Sequence, residues 1–189
     1  MNIFIDTISN IAKIIIFNWN REIIDEIEWF VKWNESSTLI PKIDEILNNN
    51  SIKYNDLENL VVVNWPGSFT WIRTTVLAIN SINYIINKNI TAISYFDMFD
   101  KYPILKSSSK RDYFVMINKD SKIEIIENDI LVNNIKELNI NTVYWEVDSE
   151  LFKEVKIVDK IDYLSIIKMI NFSKEKQIQA LYIKKPNIS

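Results

Sequence analysis

Ile3 and Ile5 alternate with other side chains across Asn2 to Ile8, and a β-branched apolar run follows from Ile11 to Phe17. Both patterns predict strands. Arg21 to Val31 alternates less cleanly around Ile23, Ile24 and Ile27 and predicts a third strand. The period then changes. Leu39, Ile40, Ile43, Ile46 and Leu47 fall at i, i+1, i+4, i+7 and i+8, which predicts a helix over 36–48 behind Ser36 and Ser37 as N-caps. Leu57 to Val63 is wholly apolar, as a strand buried on both faces would be. Ile72, Val76, Leu77, Ile79, Ile82, Ile85 and Ile86 mark a long amphipathic helix ending near Asn87, and Ile90 to Ser94 is a short strand. A short helical piece follows at Phe96 to Lys101.

The second half is built the same way on a smaller scale. Pro103 to Ser107 predicts a strand, Tyr113 to Asn118 and Lys122 to Glu127 a hairpin about Asp120-Ser121, and Ile130 to Leu138 a helix. Asn141 to Val147 and Val155 to Val158 read as strands, and Tyr163 to Asn171 as a last helix. Ser107-Ser108-Ser109-Lys110 is the best boundary, dividing the chain into an N-terminal lobe at 1–106 and a shorter C-terminal lobe at 107–189. The expected class is α/β: two lobes, each a mixed sheet flanked by helices.

Composition narrows the chemistry. The 189 residues include no His and no Cys, which excludes thiolate or Cys/His metal sites, Ser-His-Asp triads and Cys-His dyads. Nucleophile–base peptidase chemistry is therefore not expected, and neither is a resident metal or cofactor. The net charge of −3 argues against a dedicated nucleic-acid binder. The Lys/Arg clusters at 106–111, 153–160 and 184–185 are expected to be solvated surface. Apolar runs are short and interrupted, and no leader pattern opens the chain, so no membrane span and a cytoplasmic location are expected. The abundance of Ile (37), Asn (23) and Lys (19) reflects AT-rich codons, since ordered apolar periodicity persists throughout.

Glycine and tryptophan are the anomaly. Gly occurs once and Trp six times, whereas average usage would give roughly 13 glycines. Trp19 lies between Asn18 and Asn20, where a two-residue hairpin turn would need positive φ and favour Gly. Trp33 precedes a helix start, Trp145 follows a strand, and Trp65 and Trp71 bracket a distinctive loop. Trp29 is the least diagnostic.

That loop, Asn64 to Arg73, reads NWPGSFTWIR and resembles the GPGSFTGxR signature of the TsaB family. Pro66, Gly67, Ser68, Phe69, Thr70, Ile72 and Arg73 match, while Trp65 and Trp71 stand where the family has Gly. NIFIDT at Asn2 to Thr7 resembles the family's opening strand, Leu39-Ile40-Pro41 its Leu-x-Pro segment, and ALYIK at Ala180 to Lys184 its closing segment. Five of the six Trp fall where turn geometry or the family pattern favours Gly, which predicts a gene whose UGA codons encode glycine. The alternative is genuine tryptophan in a diverged member, with strain or opening expected in the 64–71 loop.

The resemblance implies an actin-like ATPase or ribonuclease H-like fold and a non-catalytic role. The TsaB family is the partner of TsaD, which forms threonylcarbamoyladenosine in tRNA next to the anticodon. A TsaE-like ATPase is a further implied partner, tRNA is engaged only through the complex, and self-association without TsaD is an open possibility. Leu39, Ile40, Leu47, Leu77 and Tyr84, on the two helices of the first lobe, are the candidate interface. The family's first helix begins with a His where this chain has Glu35. Asp6 and Thr7 with the 65–70 loop form a possible vestigial nucleotide site. The competing class is a small actin-like-fold ATPase or phosphotransferase using Asp6 and that loop.

Overall fold

The structure, a computed structural model, describes residues 1–9, 11–30, 37–67, 69–144, 147–158 and 160–181. Three strands, β1 (Asn2–Asp6), β2 (Ile11–Phe17) and β3 (Ile23–Phe30), form the antiparallel meander expected from the alternation. Helix α1 (Leu39–Asn49), strand β4 (Asn59–Trp65), helix α2 (Phe69–Ile86) and strand β5 (Asn89–Ser94) follow. Strand β4 pairs parallel with both β1 and β5, giving a five-stranded sheet in the order β3-β2-β1-β4-β5. Every residue of β1 and β4 is buried, as a central strand covered on both faces requires.

Both helices pack on one face of this sheet. Leu39, Ile43, Ile46 and Leu47 of α1 and Ile72, Val76 and Ile79 of α2 close over Ile3, Ile5, Ile14, Ile16, Leu60 and Val62. Leu39 and Leu47 are thus buried in this core.

The second sheet is formed by β6 (Ile104–Ser107), β7 (Asp112–Met116), β8 (Glu124–Glu127), β9 (Thr142–Tyr144) and β10 (Lys156–Val158), ordered β10-β9-β6-β7-β8. Helix α3 (Asn128–Glu137) contributes Leu131 and Ile135 to its core with Leu105, Val115, Val143 and Phe152. Asn139, at φ 52°, ends α3 in the left-handed conformation, with the Ile140 N–H bonded to Ile135 O at 3.0 Å.

The lobe boundary differs from the expected 106/107. Among the described residues the first lobe comprises Met1–Tyr95 together with Leu164–Leu181, and the second is Phe96–Tyr163. Helix α4 (Tyr163–Met169) and the segment after it return to the first lobe, where Ile167 and Ile178 are buried. Glu175 bridges to Ile90 on the edge strand β5, and Ser173 donates its hydroxyl to Ile90 O and its N–H to Thr91 Oγ1, the latter at 2.9 Å.

The turn between β2 and β3 also differs from expectation. Arg21 N–H bonds Asn18 O at 3.1 Å and Asn18 N–H bonds Glu22 O at 3.0 Å, which makes a three-residue loop. The left-handed position is therefore Arg21, at φ 65°, and not Trp19. Arg21 is held there by what its guanidinium does: it donates to Ile167 O (3.1 Å) and Ile170 O (2.9 Å) at the end of α4 and lies 4.2 Å from the Phe172 ring centroid. Trp19 rests edge-on against Phe172 and donates to Glu58 at 3.0 Å.

Candidate functional site

Strand β1 delivers Asp6 to the start of a loop and buries it completely. One carboxylate oxygen accepts the Ile8 N–H at 2.9 Å and the other accepts the Ser9 hydroxyl at 3.1 Å. This is a local turn closed by a carboxylate side chain. Thr7, also buried, shares a 2.7 Å hydroxyl–hydroxyl bond with Thr75 of α2, tying the end of β1 to that helix. Among the described residues no three His, Cys, Asp or Glu side chains cluster as a metal ion would need.

The signature loop runs from the end of β4 into α2. Trp65 is buried and Trp71 half-buried in the first turn of α2; the β4–β5 register shifts between Val63 and Trp65, and the Trp65–Pro66 bond is cis. None of the described tryptophans has positive φ, so glycine's backbone freedom is not what positions 19, 29, 65 and 71 use. Trp33, Glu35, Ser68 and Trp145 lie outside the described residues. Gly67 does have a steric reason: a Cβ there would stand 3.1 Å from Ile8 Cγ2. The loop therefore presses on the Asp6 turn, and the two expected site segments are brought together. Thr70 and Arg73 are exposed at the start of α2.

Along α2 the outward face is unusual. Leu77, Tyr84 and Ile85 are 62%, 87% and 81% exposed, while Ile40 on α1 is half-buried against the core. Of the 18 residues of α2 only Arg73 is charged. Solvated helices of this length normally carry charge on the face opposite the core, and depletion of charge marks the centres of protein interfaces. Leu77 and Tyr84 were legible as candidates. Ile85 was not singled out, though the lack of charge along the whole helix would have found it.

The burial of Tyr54, with its hydroxyl donated to Asp44 at 2.7 Å, pushes its pKa well above the ordinary tyrosine value. Arg21 is shifted down by burial. Neither group lies at the Asp6 turn.

No family model and no curated protein matches the sequence. Solved structures do. A Pseudomonas aeruginosa protein described as uncharacterised with similarity to peptidase YeaZ superposes over 97% of this chain and 100% of its own, with a TM-score of 0.71 and 8% identity. The fold is the YeaZ fold. YeaZ from Pseudomonas aeruginosa itself matches at a TM-score of 0.53 over 67% of this chain and 65% of its own, with 9% identity. The architecture is thus the actin-like, ribonuclease H-like α/β fold of the YeaZ structures: two mixed sheets flanked by helices. Among the described residues no helix is long and apolar enough to cross a membrane.

Proposed function

We propose that this chain is a TsaB-type accessory subunit, which docks on a TsaD-like protein and supports formation of threonylcarbamoyladenosine in tRNA. A TsaE-like ATPase is its further partner, and tRNA is reached through the assembly. The carrying observation is the outer face of α2, where Leu77, Tyr84 and Ile85 are exposed on a helix with one charged residue. An apolar, charge-depleted helix face suits a helix-to-helix contact. The PGSFT loop that opens the same helix and the YeaZ fold favour this family over others that share generic α/β order.

Asp6 acts in this reading as a structural group, since both its oxygens are engaged within the turn. The signature loop packs Gly67 against Ile8, and Thr7 at the end of β1 bonds Thr75 of α2.

Co-expression with the TsaD-family protein of the same genome tests the proposal. A one-to-one complex is expected, with Leu77→Asp and Tyr84→Asp each weakening it at least ten-fold. Self-association of the chain on this face, or ATP turnover abolished by Asp6→Ala, would replace the reading with a homodimer or an enzyme.

A further inference from the structure

The segment after α4 runs along the first lobe with two buried apolar anchors, Ile170 and Ile178, and with Phe172 stacked on Phe17. Its polar attachments fall on β5 through Ile90 and Thr91, on Asn64 of β4 and on α2. Asn80 holds Ile178 at both backbone groups, donating to its carbonyl at 2.9 Å and accepting its N–H at 3.0 Å. One turn further on, Asn83 donates to Lys176 O at 2.8 Å, and Asn64 donates to Gln179 O at 3.1 Å. The strap therefore runs antiparallel to α2, laced to it by asparagines at i and i+3.

The lacing reaches the end of α2. Asn87 leaves the helix in the left-handed conformation, φ 51°, and Asn83 folds its side chain onto Lys88, accepting its N–H at 2.8 Å and donating to its carbonyl at 3.0 Å. Helix α2 has no basic residue in its last turn. The strap brings one: Lys176 Nζ donates to Asn87 O at 3.0 Å and Lys88 O at 3.2 Å. A cation at a helix C-terminus opposes the negative end of the helix dipole and satisfies free carbonyls. Asn83, the residue that bonds both this terminus and the strap, directly precedes Tyr84 and Ile85.

We infer that the strap is a releasable clamp that supplies the C-terminal cap of α2 through Lys176 and so orders the half of the helix bearing Tyr84 and Ile85. Beyond Phe172 the strap is held by side-chain hydrogen bonds, one isolated bridge to Ile90, Ile178 and the half-buried Ala180, with no strand ladder of its own, so it opens at lower free energy than the sheet. When it opens, the last turns of α2 lose their cation and their Asn83 bond to Lys176, and they fray. Its link to docking rests on the proposed function: a partner that binds ordered α2 favours the seated strap, and by reciprocity the seated strap favours the partner.

Amide exchange of the full chain, followed at residues 83–88, tests the clamp without any partner. Lys176→Met is expected to speed exchange there about two- to five-fold, and Asn83→Ala to speed it further, while Lys174→Met, an exposed lysine two residues away, leaves it unchanged. Equal exchange in Lys176→Met and Lys174→Met overturns the clamp. Binding to the TsaD-family protein then tests the coupling, with about two- to five-fold weaker affinity expected for Lys176→Met. Undiminished affinity in that variant overturns the coupling. Failure of the unmutated chain to bind overturns the docking reading, and the exchange result still decides the clamp.

Discussion

The first sheet runs β3-β2-β1-β4-β5 and the second β8-β7-β6-β9-β10, with the same two antiparallel pairings followed by the same two parallel ones. The lobes differ in what joins their last two strands. The first inserts the 18-residue α2 between β4 and β5, whereas among the described residues the second joins β9 to β10 by turns. In place of a helix, Phe152 is buried against Tyr113, ring centroids 5.7 Å apart and planes at 84°. A cavity of about 400 Å³ lies beside it, lined by Ile135, Ile140, Leu151 and Val155. One topology therefore supports two designs. A long crossover makes a helix with an outer face to spare, and a short one leaves a small core plugged by one aromatic ring.

The largest break in that comparison should come from Phe152→Ala. It removes the plug and is expected to destabilise the second lobe by about 3–5 kcal/mol, with amide exchange accelerated in β6, β7 and α3 and little changed in β1 and β4. Uniform acceleration across both sheets would mean that the lobes do not have separate cores.

Arg21→Ala comes next. It deletes two charged hydrogen bonds to the end of α4 and is expected to lower the stability of the first lobe by about 1.5–3 kcal/mol in urea titration. Arg21→Gly loses the same bonds but removes the left-handed strain, so it should recover about 1 kcal/mol of that loss. Equal effects would show that strain at φ 65° contributes nothing.

Much of this was legible in the sequence. The period-two and period-3.6 stretches marked β1 to β5, α1 and α2 because each buries a continuous apolar face, and the hairpin of β7 and β8 was found from its turn. The PGSFT loop led to the fold. Two features were hidden for a common reason. The re-entry of the strap is written in Asn80, Asn83 and Asn64, whose partners lie some ninety or more residues away and whose polarity resembles that of any surface asparagine. The left-handed residue of the first turn was misplaced because loop length, not residue type, decides which position takes positive φ, and Arg21 tolerates it only by capping a distant helix.

Gly67→Ala sharpens the comparison at the loop that opens α2, which the second lobe lacks among its described residues. The added methyl meets Ile8 at 3.1 Å, and a loss of about 1 kcal/mol is expected, read as a lower urea midpoint with unchanged slope. The smallest effect is at high pH. Tyr54 in the first lobe and Tyr113 in the second both have pKa values raised by burial. A phenol whose pKa is higher folded than unfolded stabilises the fold fully below the unfolded value, about 10, and loses that contribution as pH rises through the folded value. Tyr54→Phe should therefore flatten part of the alkaline decline in melting temperature above about pH 10, and an unchanged decline would assign it to other groups.

The returning strap also sets an order of events during synthesis. Strands β1 to β5 leave the ribosome first, yet Ile178 fills their core only after the whole second lobe has been made. At about 5–20 residues per second, the β5 edge and the end of α2 wait several seconds for their cover. The lobe translated first is thus completed last, and in that interval its open edge is the part of the nascent chain that a chaperone has most reason to shield.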